Sequence, residues 1–302
     1  MNPDPPVTKA ASAIGGDVSL AAVKSVLITG ASTGIGRATA MHLDAGGWRV
    51  FAGVRKEKDA ASLRGVGSER LVPLMLDVTD AGQIAAAAEK IDETVGEAGL
   101  DGLVNNAGIG VLGPLETLPI DDFRRQIEVN LTGQVAVTQA MLPAIRRATG
   151  RIVFVSSVGG LMALPFGGPY HAAKFGIEAV TDSLRQELRP WRIEVSVIEP
   201  GSIDTPIWER GEQIADEVAE RAPAAQEELY GRAIEGLRGA MKRIAARGIP
   251  PEKAAKKIEH ALSSRRPRTR YLVGADARGQ ALASRLLPDR VMDTVIRRVT
   301  GA

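Results

Sequence analysis

Tyr170 and Lys174 stand four residues apart in "GGPYHAAKFGIEA", so a helix there sets a phenol and an ammonium on one face. A phenol ordinarily titrates near about 10. A neighbouring positive charge favours the phenolate, and such a tyrosine can pass a proton to or from an oxygen near neutral pH. Ser157 closes the apolar run "GRIVFVSS" and is placed to hydrogen-bond the same oxygen. Each residue also has a plainer role open to it. A tyrosine beside a lysine can be simple packing, and a serine at a strand end can be a turn residue. His171 reads as a packed or pocket-edge side chain and is assigned no chemistry.

A second stretch, "TGASTGIG" (29–36), supports two readings. Gly30-Ala31-Ser32-Thr33-Gly34 fits G-x-S-x-G, the turn that exposes a hydrolase serine. That chemistry needs an acid and then a histidine later in the chain, for which only His171 or His260 is formally available. It also needs earlier strands and an oxyanion loop to build a site around the serine, but Ser32 follows the first strand and no such loop precedes it. The same residues, read as G-x-x-x-G-x-G between a strand and a helix, suit a dinucleotide. Glycines let the backbone approach a pyrophosphate, and the free N–H groups of the helix start face its charge. The next strand, "WRVFAGV", has no acid at its tip to meet a ribose 2′-OH and is followed by Arg55. Arg55, with Ser32 or Thr33, therefore suggests a 2′-phosphate and NADP(H) over NAD(H). A solvated surface arginine in "RKEK" is the alternative. An oxidised nicotinamide ring would favour the Tyr170 phenolate further.

The elements that must position these groups alternate along the chain. Apolar runs at 24–30, 48–54, 70–78, 100–108, 150–157, 192–201 and 269–275 read as seven strands. Helical patterns at 37–47, 81–95, 121–148 and 170–189 separate most of them. The rhythm predicts an α/β fold: a doubly wound Rossmann fold with a seven-stranded parallel sheet and helices on both faces. Residues 23–302 read as one catalytic domain, and 1–22 as a flexible tail without the apolar core of a signal peptide. Two helical stretches fall outside the rhythm: a charged insertion at 206–250 and an extension at 276–302.

Composition narrows the classes. The 302 residues carry a net charge of +2, which gives no reason to expect nucleic acid. There is no cysteine, and His42, His171 and His260 lack metal-ligand spacing, so no metal is expected. No apolar run approaches the ~20 residues of a membrane span. These features fit a reducing compartment, and the cytoplasm is the expected location.

The chain resembles the short-chain dehydrogenases/reductases. The resemblance runs over roughly 24–275 and rests on Thr29-Gly30-x-x-x-Gly34-x-Gly36, Asn105-Asn106-Ala107-Gly108, Ser157, Tyr170-x-x-x-Lys174 and Pro200-Gly201, in that family's order. The stretch "SVGGLMALPFGGPYHAAKFGIEA" looks closest to its 17β-hydroxysteroid and retinol dehydrogenase group. The resemblance implies that Tyr170 is the acid/base and that Ser157 orients the substrate oxygen. It implies that Lys174 holds the nicotinamide ribose and lowers the tyrosine's pKa, and that Asn130 holds a water in a relay with Lys174. Gly30, Ser32, Thr33, Gly34, Ile35 and Gly36 would then cradle the phosphates. Asn106, Ala107 and Gly108 would line the cofactor, and Asp77 and Val78 would meet the adenine. The Pro200–Thr205 stretch, with Gly201 and Ile203, would close on the carboxamide. Asn130 and Asp77 also have local backbone-bonding and capping roles open to them.

Leu164 and Phe166 in "LMALPF", with Trp208, would face a hydrophobic ketone, aldehyde or alcohol, of steroid, retinoid or lipid type. Segment 206–250 is either a mobile lid or a static cover. In the tail, Leu287, Val291, Val295 and Val299 form a stripe beside Arg290, Arg297 and Arg298. Such a helix packs on its own domain or a second subunit in most cases, with a membrane surface as the lesser alternative. Family enzymes associate through the helices carrying Asn130 and Tyr170, and a homodimer is expected. Two competing readings remain: a dinucleotide-sensing protein without turnover, which has no use for an acid/base, and an NAD-dependent enzyme of a small carbonyl.

Overall fold

The computed structural model describes residues 23–223 and 225–300; the expected tail at 1–22 lies outside them. Its strands are β1 (Ser25–Ile28), β2 (Arg49–Val54), β3 (Leu71–Met75), β4 (Gly102–Asn105), β5 (Arg151–Val155), β6 (Glu194–Pro200) and β7 (Arg270–Val273). They form one sheet in the order β3-β2-β1-β4-β5-β6-β7, and every pairing is parallel. The expected seven-stranded Rossmann sheet is the one observed. The chain reverses its direction of travel between β1 and β4, which puts the ligand-binding crevice at the carboxyl ends of those strands.

Strand residues alternate between the two faces. Val26 and Ile28 of β1 join one buried layer with Leu43 of α1 (Gly34–Ala45), Leu63 of α2 (Glu57–Arg64) and Ile258 of α9 (Glu252–Ser263). Leu27 points the other way, into a layer with Ile91 of α3 (Ala81–Val95), Met141 of α5 (Gly133–Ala148) and Ile177 of α6 (Gly168–Glu187). Both faces of the sheet are therefore covered, and its strands read as continuous apolar runs because neither side meets water.

Several sequence expectations need correction. The helix expected over 121–148 is broken into α4 (Ile120–Ile127) and α5 by a wide π turn at Glu128–Thr132, which carries Asn130. The helices α2 and α9 went unassigned, and α9 is the crossover that returns the chain to β7. The insertion forms α7 (Ile207–Glu220) and α8 (Ala225–Ala245). The extension forms α10 (Ala275–Leu286) and α11 (Asp289–Thr300), divided at Leu287-Pro288. Leu287, Val291, Val295 and Val299 do not pack on their own domain. They are exposed, while Met292, Ile296 and Thr300 are the more covered side of α11, which lies against α8. Among the described residues, no helix is long and apolar enough to cross a membrane.

Candidate active site

The glycine loop follows β1 directly, and α1 begins at Gly34. Gly30 and Gly34 hold φ of 65° and 56°, the left-handed region that suits glycine. A side chain at Gly36 would collide with the carbonyl of Gly30, so only glycine lets the helix start approach the loop this closely. Ser32 and Thr33 precede that start, and Thr33 makes no side-chain capping bond, which leaves its hydroxyl for another partner. The hydrolase reading fails on geometry. His171 bonds Gly159 and Leu164, and His260 bonds Tyr271, so neither formal partner serves Ser32.

The loop after β4 is bound to this cradle. Asn106 donates from its side chain to the carbonyls of Thr29 (3.0 Å) and Gly30 (3.1 Å), and Thr29 Oγ1 accepts from the amides of Asn106 and Ala107. Three fully buried amides pin the same loop from the far side. Asn130 accepts from the Ile109 amide and donates to the Ile109 carbonyl, both at 2.9 Å. Gln126 holds Val111 and Ile109, and Gln134 donates to the carbonyl of Ala107 at 2.7 Å. Gln126 and Gln134 were not among the expected site residues. Their signal was the spacing Q-x-x-x-N-x-x-x-Q, one face of a helix, which only matters once the loop is known to lie over it.

At the carboxyl end of β5, Ser157 caps a single 3-10 turn and accepts from the Gly159 amide at 3.0 Å. The turn uses only its oxygen as an acceptor and leaves the hydroxyl hydrogen for Tyr170. Tyr170 and Lys174 lie one turn apart on α6, and a hydrogen bond joins Tyr170 to Ser157. Burial raises the tyrosine's pKa, and the bond from Ser157 opposes that rise. Lys174 is buried too. Its ammonium donates to the carbonyl of Val155 at 2.8 Å and sits 5.8 Å from the centre of the tyrosine ring. Burial lowers the lysine's pKa to about 8, while the charge of Glu178 pulls the other way.

Behind this pair lies a charged cluster in which Glu178 and Glu199 are buried and Arg270 and Asp182 are half-buried. Arg270 of β7 reaches Glu199 of β6 at 2.9 Å, Asp182 of α6 at 2.8 Å, and Glu178 of α6. Asp276, at the start of α10, accepts from the Ser202 amide at 2.7 Å and so anchors the Pro200–Thr205 stretch. Within that stretch Ile203 bridges to Ile249, and Thr205 packs against Gly34.

The other expected residues fall into two groups. Arg55 is exposed just beyond β2, 4.0 Å from the Asp77 carboxylate, and both line an open cleft of about 730 Å³ with Val129 and residues of α4. The sequence showed no acid at the tip of β2; the fold brings one from the tip of β3. Asp77 also bonds Thr79 as a local turn acceptor, and the Val78 side chain is in the core. Phe166 and Trp208 line a second pocket of about 260 Å³ with Leu112, Val218, Leu237 and Met241. Leu164 is half-buried and not part of that wall. The indole of Trp208 donates to the Ile203 carbonyl at 2.8 Å, which ties the pocket to the Pro200–Thr205 stretch.

The short chain dehydrogenase family model matches residues 24–215. Retinol dehydrogenase 5 of Mus musculus is 40% identical over 277 residues, spanning 90% of this chain and 87% of that protein. The 17-beta-hydroxysteroid dehydrogenase type 6 of Bos taurus is 40% identical over 280 residues, spanning 91% and 88%. A short chain dehydrogenase from Burkholderia cenocepacia, solved in complex with NADP, is similar with a TM-score of 0.68 at 26% identity, covering 92% of this chain and 97% of that one. With its parallel sheet, its glycine loop and its Ser157–Tyr170–Lys174 rim, this oxidoreductase of alcohols or carbonyls belongs to the short-chain dehydrogenase family, in the group of the retinol and 17β-hydroxysteroid dehydrogenases.

Proposed function

We propose that the protein interconverts a hydrophobic ketone or aldehyde and its alcohol, using NADP(H) in preference to NAD(H), with Tyr170 as acid/base. The observation that carries this reading is the gathering of Ser157, Tyr170 and Lys174 at one rim, at the end of the sheet where the glycine loop lies. The cradle fits a dinucleotide: left-handed glycines, a helix start without acidic residues in its first turn, and a close approach at Gly36 that only glycine allows. When bound, the dinucleotide supplies or accepts the hydride at the substrate carbon. Gly30 to Gly36 hold its phosphates and Asn106 to Gly108 line it. Asp77 and Val78 meet the adenine, and Pro200, Gly201, Ile203 and Thr205 close on the carboxamide.

The chain's own residues manage the proton. In reduction the Tyr170 hydroxyl gives its proton to the substrate oxygen, and in oxidation the phenolate takes it back. With substrate in place, Ser157 turns its hydroxyl hydrogen to that oxygen and favours the developing charge. Lys174 holds ribose hydroxyls and, through a water at Asn130, returns protons from solvent. The apolar body of the substrate occupies the pocket of Phe166 and Trp208, with Leu164 nearer the rim, and α7 and α8 act as its lid. Three contacts latch that lid: Tyr230 to Glu116, Gln226 to Thr117, and Arg221 to Asp122 at 2.9 Å.

One observation favours a second cofactor reading. Asp77 beside Arg55 offsets part of the guanidinium charge and can accept from a ribose hydroxyl, which suits NAD(H). The protein is further proposed to be a cytoplasmic homodimer joined through α4, α5 and α6. A screen of hydrophobic alcohols and ketones with both nucleotides, read by nicotinamide absorbance, tests the function. Tyr170→Phe should lower turnover by about 10²–10⁴-fold and leave nucleotide affinity nearly unchanged. Turnover near the parent level would sink the mechanism.

A further inference from the structure

We propose that His171 is a positioning residue that sets both walls of the substrate site, the polar one at Ser157 and the apolar one at Leu164–Phe166; this rests on the reading of Ser157 and Tyr170 given above. His171 is buried on α6 directly after Tyr170, with the two rings nearly perpendicular at 5.6 Å. Each ring nitrogen has one partner. Nε2 lies 3.0 Å from the Leu164 amide nitrogen, and Nδ1 lies 2.8 Å from the Gly159 carbonyl. A backbone amide only donates and a carbonyl only accepts, so Nε2 carries the lone pair and Nδ1 carries the hydrogen. The imidazole is therefore neutral, and burial, the larger influence, lowers its pKa.

Gly159 is gripped on both sides of its Cα. Its carbonyl accepts from His171, and its amide donates to Ser157 Oγ at 3.0 Å. Through that one residue, which joins two peptide groups, His171 steadies the amide that engages Ser157 Oγ and so leaves the serine's hydroxyl hydrogen to the substrate side. The second bond holds Leu164, two residues before Phe166, whose φ of 62° is strained for a residue with a side chain. Two glycines make the slot. A Cβ at Gly159 would lie 3.0 Å from Nδ1, and one at Gly167 would lie 2.7 Å from Nε2. The loop is thus cut to the ring's shape. An aliphatic side chain of similar bulk would fill the slot and make neither bond.

The test compares His171→Phe and His171→Asn with the parent. Phenylalanine keeps the ring and loses both bonds. Asparagine's shorter amide can still donate to Gly159, but it does not reach Leu164. The phenylalanine variant should lose about tenfold to a hundredfold in kcat/KM for a hydrophobic alcohol, the range for leaving buried partners unpaired. Asparagine should restore most of kcat while KM stays raised, and both variants should bind nucleotide as the parent does. A merely structural role would lower Tm and activity together and produce no such split. Phenylalanine kinetics within twofold of the parent would overturn the proposal, as would parallel loss of kcat and KM effects in asparagine. If phenylalanine fails to fold, the asparagine variant decides alone. If instead Tyr170→Phe keeps turnover, the reaction assignment fails while the His171 geometry is judged separately by nitrogen NMR of its imidazole. A fixed Nδ1–H tautomer upholds that geometry, and an Nε2–H or rapidly exchanging ring overturns it.

Discussion

Lys174 shows how much burial governs a single residue here. Its folded pKa is lowered to about 8, so above that value the folded chain has released a proton that the unfolded chain still holds. Below about 8 both states are protonated and the cost of burying the charge is present in full. As pH rises through 8 toward the ordinary lysine range, that cost is relieved and stability rises. Lys174→Met removes this dependence. Urea unfolding should therefore show the parent gaining on the variant between about pH 7.5 and 10. A constant gap across that interval would contradict the assignment. Arg55 carries the second residue-scale prediction. Arg55→Ala should weaken NADPH binding by about tenfold or more, the value of a charge-assisted bond to phosphate, and weaken NADH little. Equal losses in a fluorescence titration of both nucleotides would refute the 2′-phosphate assignment and favour the Arg55–Asp77 ribose reading.

At the scale of elements, the break between α4 and α5 places Asn130. An unbroken α-helix over 121–148 was the natural reading, since its apolar period continues across the break. The π turn at Glu128–Thr132 adds width where Asn130 must meet Ile109. Arg270 does comparable work on the opposite side by joining β7 and β6 to α6. Arg270→Met would leave Glu178 and Glu199 buried without their cation. Removing one partner from a buried ion pair costs about 3–5 kcal/mol, so this variant should unfold at much lower denaturant. A midpoint close to the parent's would show that the cluster is better solvated than its burial implies. Glu178 is already pushed up by burial, so any residual fold of the variant should be favoured by acid, where that carboxyl takes a proton.

For the whole molecule, the proposed dimer has a direct test. Phe175 is exposed on α6, one residue beyond Lys174. Phe175→Arg should shift sedimentation from dimer to monomer while Tm changes little, since surface substitutions typically stay within about 0.5 kcal/mol. A monomeric parent would end the proposal. The strands, their parallel sheet and the residues now gathered at its rim were legible in the chain. Apolar runs, glycine stops and the four-residue step between Tyr170 and Lys174 are local, and local sterics and periodicity express them wherever the segment sits. The C-terminal stripe does not pack on its own domain, because amphipathicity shows that a helix has two faces and not which one a neighbour covers; α11 lies against α8 with Met292 and Ile296 more covered than the stripe. By itself, then, the sequence determined the parallel sheet and its glycine loop, and it singled out Tyr170 as the proposed acid/base. Only the tertiary structure decided that Asp77 stands beside Arg55, that His171 grips Gly159 and Leu164, and that Arg270 joins three carboxylates. Those partners lie as much as 92 residues apart along the chain. No local rule encodes such a meeting, because the packing of separate βα units creates it.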